Sequence, residues 1–179
     1  MHRMQSAAAV AAIVLSSSHA FGGIVSTYDV GSGANLATFQ VDFSNGNGYV
    51  VNVRWDAAEN GLTGFGATQR MHLGIAGSQL DYQSFSFGAF VTGIGLGADY
   101  EYGEGDLWPK VENYWHYWVK TDGQWEQAMF GPSDHVLTNG TEVAWVFGSP
   151  AAPQAVPAPG AAAEIGVVCA WHRIRRRRR

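Results

Sequence analysis

The stretch from Phe39 to Trp55 leaves the chain little choice of local structure. Phe39, Val41 and Phe43 alternate with Gln40, Asp42 and Ser44, and Tyr49, Val51, Val53 and Trp55 resume the same period. A repeat of two directs the apolar set to one face of a pleated strand. Asn45-Gly46-Asn47-Gly48 lies between the two runs, with the residues that accept positive φ in a tight turn. The pattern predicts an antiparallel hairpin.

Other segments extend the sheet. Phe85 to Ile94 is predicted as a strand, with Gly88 and Gly93 marking a bulge or a close backbone approach. Tyr114 to Val119 is apolar on both faces, which predicts a central strand buried twice. Asp122-Gly123 predicts a turn before Trp125, and Asn139-Gly140 another before a strand from Glu142 to Phe147. That last strand places Val143, Trp145 and Phe147 on one face. Only Thr63 to Ala76 reads as helical, through the stripe Ala67, Met71 and Ile75, and Gly64, Gly66 and Gly74 keep it short. The 23 glycines, many in turn-like pairs, also favour a sheet-rich domain. The order of elements predicts an α+β, sheet-rich fold: a β-grasp-like antiparallel or mixed sheet with one short helix.

Charge is sharply segregated. Between Phe21 and Pro150, 14 acids face four bases (Arg54, Arg70, Lys110 and Lys120), so the folded part is near −10 while the whole chain is −4. Such a domain repels phosphate backbones, which argues against nucleic acid as a partner. The single cysteine, Cys169, excludes an intrachain disulfide and reads as a small apolar filler.

The other bases sit at the two ends. His2 and Arg3 precede the apolar stretch Ala7 to Leu15, and Ser18-His19-Ala20 offers small residues where a signal peptidase reads them. Residues 1–20 are therefore expected to be a signal peptide, followed by a β-rich domain over 21–148. A Pro/Ala-rich linker over 149–159, extended and not expected to fold, leads to the C-terminal segment. There, Val156-Pro157-Ala158-Pro159-Gly160 precedes the mostly apolar Ala161 to Ile174 and the cluster Arg173, Arg175, Arg176, Arg177, Arg178 and Arg179.

Residues 156–179 resemble the PEP-CTERM sorting signal of exported Gram-negative proteins. Val156, Pro157, Pro159 and Gly160 match its motif, and Ala158 stands where the family has Glu. The resemblance implies export, retention of the arginines in the cytoplasm through a transmembrane helix, and processing at the motif by an exosortase. It implies signal peptidase, an exosortase-like enzyme and the membrane as partners, and an envelope or surface location. The apolar stretch is short for a span of about 20 residues and is interrupted by Glu164 and His172.

A second resemblance covers roughly Ala34 to Gly148. Phe87-Gly88-Ala89-Phe90-Val91-Thr92-Gly93-Ile94, then Tyr114-Trp115-His116-Tyr117-Trp118-Val119, then Leu137 to Gly140 and Trp145-Val146-Phe147 are similar in order to the C-terminal domain of transcobalamin-like proteins. That family implies a β-grasp domain that closes over a corrinoid beside a helical partner domain, which this sequence lacks.

No metalloprotease, phosphate-loop or nucleophile-elbow motif occurs in the sequence. Ser133, Asp134 and His135 are consecutive, a placement that does not suit a catalytic relay. Asp99, Glu101, Glu104 and Asp106 lack the spacing of a calcium loop and read as a solvated loop. His116 reads as a core histidine. No catalytic residue, cofactor or metal is assigned, and the expected function is non-enzymatic. Tyr114, Trp115, Tyr117 and Trp118 are the candidate platform for a small-molecule or glycan ligand, because alternation sends Trp115 and Trp118 to opposite faces. Three rival readings stand beside the surface-protein one: a corrinoid-binding module, a carbohydrate-binding module, and a hydrolase built on the acidic run.

Overall fold

The computed structural model describes residues 23–59, 61–105 and 112–156. Its first elements are β1 (Ile24–Gly31), β2 (Asn35–Asp42) and β3 (Gly48–Trp55). The predicted hairpin is present as β2 and β3, paired antiparallel from Asp42↔Gly48 to Asn35↔Trp55. Gly46 takes φ +90° at its tip, and Asn45 Oδ1 accepts from the Asn47 N–H at 2.9 Å. These two residue types make the turn, since a branched side chain is strained at that φ.

Helix α1 (Gly64–Gly74) follows. Thr63 caps it, its Oγ1 accepting from the Gly66 N–H at 3.1 Å. Ala67, Met71 and Ile75 are buried, as the stripe predicts. Thr68 Oγ1 donates to the Gly64 carbonyl and accepts from Trp145 Nε1 at 3.1 Å, which ties the helix to the sheet by a buried polar contact. Gly64 allows the close approach: a Cβ there would lie 2.2 Å from the Tyr117 hydroxyl.

The remaining strands are β4 (Gln79–Phe85), β5 (Gly88–Leu96), β6 (Asp99–Tyr102), β7 (Trp115–Thr121), β8 (Gln124–Gln127) and β9 (Thr141–Phe147). They complete a six-stranded mixed sheet in the order β1-β3-β2-β9-β7-β8, and a three-stranded antiparallel sheet β4-β5-β6. β2 runs parallel to β9, from Ala37↔Thr141 to Asp42↔Val146. The fold is thus sheet-rich α+β.

One expectation is corrected. The predicted strand Phe85 to Ile94 is interrupted by a turn at Ser86-Phe87, so Phe85 ends β4 and β5 begins at Gly88. Gly88, at φ +133°, is the marker of that turn, and a Cβ there would lie 2.9 Å from that of Ser133. The aromatic strand β7 is interior as expected, paired with β9 on one side and β8 on the other. It is buried on both faces, one against the main core and the other under Trp125 of β8.

The main core lies between one face of the large sheet, α1 and the small sheet. Phe39, Val51, Val53, Val143 and Trp145 line the large sheet's inner face, met by Ala67 and Met71 of α1 and by Val91, Ile94 and Leu96 of β5. Trp115 packs edge-on to Phe43 and Phe147 there, with ring centroids 5.4 and 5.1 Å away. Such edge-to-face pairs add to the stabilisation from burial alone.

Candidate functional site

Alternation sends a second set of side chains to the face of the large sheet opposite α1. β2 contributes Thr38, Gln40 and Asp42, β9 contributes Glu142, Ala144 and Val146, and β7 contributes His116, Trp118 and Lys120. Trp118, Ala144 and Val146 form a small cluster of their own, with Trp125 packed against it. Lys120 Nζ meets Glu142 Oε2 at 2.7 Å and lies 5.4 Å from the centre of the Trp125 ring.

The segment after β9 returns across this face. It has no helix or strand, yet it is docked: Pro153 is buried, and Gln154 makes three bonds to the hairpin. Its N–H donates to Asp42 Oδ2 at 2.7 Å, its carbonyl accepts from Gln40 Nε2 at 2.8 Å, and its Nε2 donates to the Gly46 carbonyl at 3.1 Å. Gln40 Nε2 also bridges both oxygens of Asp42 at 2.9 Å. Burial pushes the Asp42 carboxyl above its ordinary range, against the pull of these donors. The linker expected over 149–159 is therefore held to the domain as far as Gln154, because two polar side chains in mid-strand need partners once covered.

Between this segment and β8 lies a cleft of about 360 Å³. Thr38, Gln40, Lys120, Glu142, Trp125 and Val156 are among its walls. The candidate ligand platform sits elsewhere. Trp115, Tyr117 and Trp118 are on β7 and face alternately inward and outward, but all are buried, Trp115 to 4% and Trp118 to 7% exposure. Tyr114 is half-buried and its ring lies 4.2 Å from that of His116, centre to centre. The ring that borders the cleft is Trp125, which sequence reasoning placed only after a turn.

Trp118 Nε1 is buried and has no hydrogen-bond partner among the described residues. His116 accepts from Gln127 Nε2 at Nδ1, 2.8 Å away, so in that orientation the ring proton lies at Nε2. Nε2 is 2.9 Å from Glu112 Oε2, but the pair is off the hydrogen-bond axis, which leaves an electrostatic contact.

The acidic run is engaged in structure. Asp99 and Glu101 belong to β6 and reach the tip of the β2–β3 hairpin. Asp99 accepts from Asn45, Asn47 and Tyr49, the last at 2.6 Å, and these bonds hold its carboxyl below the usual range. Burial and the neighbouring carboxylate push Tyr49 up to about 12. Glu101 accepts from the Ser44 N–H at 3.0 Å and from its hydroxyl. Glu104 lies just past β6, and Asp106 is outside the described residues.

Ser133, Asp134 and His135 do not form a relay. Ser133 Oγ accepts from the Ala89 N–H at 2.9 Å, whereas His135 Nδ1 takes the Tyr117 hydroxyl at 2.8 Å. Burial raises the Tyr117 phenol far above its usual value and lowers His135, so a neutral ring can accept from the neutral hydroxyl.

Among the described residues, no group of three or more His, Cys, Asp or Glu is placed to hold a metal, and no helix is long and apolar enough to cross a membrane. The expected signal peptide, Pro157, Pro159, Gly160, Arg173, Arg175 to Arg179 and the apolar stretch before them lie outside the described residues. Val156, the first residue of the expected sorting motif, is at the cleft wall and 49% exposed. Compared with known proteins, the chain matches no protein family, no curated protein and no solved structure, so both family resemblances rest on the residues quoted for them.

Proposed function

We propose that this chain is an exported, non-enzymatic surface domain of β-grasp-like fold, retained at the membrane by its C-terminal segment and processed there by an exosortase-type enzyme. The observation that carries the reading is the clasp at Gln154. Gln154 is clasped to Asp42 and Gln40, and Val156-Pro157-Ala158-Pro159-Gly160 begins two residues later. Val156, the first residue of that run, is exposed at the domain surface, and the sequence after it holds an apolar stretch and an arginine cluster that suit insertion with the positive end inside.

The grasp reading is supported by the run β3-β2-β9-β7, a hairpin and a returning strand pair whose inner members are parallel, wrapped around α1. The non-enzymatic reading is supported by the carboxylates Asp99 and Glu101, which are spent on the hairpin tip, and by Ser133, which is held by β5.

The test is intact-mass measurement of the protein from its native envelope. The expected species begins at Phe21 and has a C-terminus altered near Pro157 to Gly160. Recovery of an unprocessed cytosolic chain from Met1 to Arg179 would overturn the proposal.

A further inference from the structure

The outer face of the small sheet carries a tyrosine laid over glycines. In register, Gln79, Gly95 and Tyr100 form one cross-strand row, and Gly93 of the same central strand pairs with Asp81 and Tyr102 in the next. The central strand β5 therefore raises no side chain in either row. Tyr100 occupies the space instead. A Cβ on Gly95 would lie 3.2 Å from Tyr100 Cδ2, and one on Gly93 would lie 3.1 Å from its hydroxyl. The ring reclines across β5, its hydroxyl donating to Asp81 Oδ2 at 2.8 Å. One side covers the glycines, and the residue remains 44% exposed on the other.

Tyr102 is two residues further, about 6.7 Å along the strand, and is 47% exposed. Glu104 Oε1 accepts its hydroxyl and also Gln83 Nε2, the latter at 3.0 Å. Two exposed rings are thus each fixed at the tip by a carboxylate that has a second oxygen to offer.

Stability explains only part of this arrangement. Glycines inside a strand weaken it through backbone entropy, and a cross-strand ring laid over them restores part of that loss, yet the other side of the ring is left exposed. A pre-fixed aromatic face is, however, what a ligand with a flat apolar side requires, because binding it freezes no rotamer. The carboxylates and the Gln83 amide at its rim match hydroxyl groups rather than more hydrocarbon.

We propose that the outer face of β4-β5-β6 binds a neutral polysaccharide, with a pyranose ring stacked on Tyr100, the next contact on Tyr102, and sugar hydroxyls donating to Asp81 and Glu104. The face is open rather than a closed pocket, which suits a chain crossing it. The acids exclude uronic-acid or phosphorylated polymers by repulsion. This site is independent of the reading of the chain's ends.

The experiment is affinity electrophoresis of the full-length protein in gels holding soluble β-1,4-glucan, β-1,3-glucan, mannan, xylan or polygalacturonate. Retardation is expected in at least one neutral polymer and absent in polygalacturonate. Tyr100→Ala should weaken it at least about tenfold, the scale of a central aromatic contact, while Tyr100→Phe keeps the ring and most of the affinity. A thermal melt of each variant checks that the fold is retained, as expected for an exposed side chain. Absence of retardation in all four neutral polymers, or equal retardation of a folded Tyr100→Ala variant, would overturn the proposal.

Discussion

The backbone N–H of Gln154 reaches Asp42 Oδ2 across 112 residues of sequence and 2.7 Å of space. With Gln40 donating to both the Asp42 carboxylate and the Gln154 carbonyl, three groups satisfy one another on the face opposite α1. Each would be left short if any one were removed, which makes the group cooperative.

Gln40→Ala is therefore expected to release residues 149–156 without unfolding the sheet. Losing the shared donor costs about 1–3 kcal/mol locally, the penalty of a covered group without its partner. Cleavage after Pro153 by a proline-specific endoprotease should quicken by about tenfold or more for a loss of that size, while the global melt shifts little. Equal cleavage of wild type and variant would show that the clasp carries no weight.

The Tyr117–His135 contact gives stability a pH dependence of known sign. Burial holds the folded-state value of His135 below its ordinary one. The neutral ring that accepts the Tyr117 proton is thus favoured by folding. Its contribution is fully present above the unfolded value, about 6.5, and is lost as pH falls through the lower folded value. Urea midpoints measured between pH 7.5 and 5 should fall, and His135→Asn should flatten that slope. Identical slopes would remove His135 from the account.

Gly64→Ala sets helix propensity against packing. Alanine gains about 0.5–1 kcal/mol inside a helix. Its Cβ would lie 2.2 Å from the Tyr117 hydroxyl and 3.1 Å from the Pro132 carbonyl, and such overpacking costs about 1–3 kcal/mol. Packing should win, so the variant melts earlier in urea and loses part of the His135 pH dependence. A stabilised variant would mean that Tyr117 can move aside freely.

Two buried indoles on opposite faces, Trp145 and Trp118, should respond differently to substitution. Trp145 is 2% exposed, packed in the main core and bonded to Thr68, so Trp145→Ala should cost about 3–5 kcal/mol. Trp118 belongs to the small outer cluster, and its Nε1 lacks a partner among the described residues. Trp118→Phe removes that unsatisfied donor, worth about 1–3 kcal/mol, which offsets most of the lost ring area. Denaturant melts should therefore place Trp118→Phe within about 1 kcal/mol of wild type. A larger loss would mean that the indole N–H has a partner in solution.

The β2–β3 hairpin was legible because two independent signals agree there, strand period and turn residues. The helix was legible through Ala67, Met71 and Ile75. β4 was not, since Gln79 to Phe85 is exposed along almost its whole length and so carries no apolar stripe. Ser86-Phe87 gave no turn pair, and only Gly88 betrayed the break. In β6, Asp-Tyr-Glu-Tyr already alternates, with acids on one side and rings on the other, but four residues inside an acidic run resemble a loop. The clasp left no local trace. Gln40 and Asp42 read as ordinary solvent-facing alternates until the segment that covers them is known. Trp115 and Trp118 were correctly sent to opposite faces, yet the burial of Trp118 depended on β8 and its Trp125, which alternation on β7 does not reveal.

β9 is the last described strand of the sheet in sequence and lies inside it, between β2 and β7. Its parallel partner β2 precedes it by roughly a hundred residues. Before Thr141 to Phe147 is available, β1-β3-β2 and β7-β8 are two separate pieces, each with an unpaired edge. Closing so long a loop is rewarded only when the final pairing forms, which makes folding slow and late. A chain emerging from its N-terminus therefore stays threadable through a narrow pore almost to the end of the domain. Once β9 has entered, the same topology acts as a lock, because the first and last thirds of the domain can separate only by breaking the middle of the sheet.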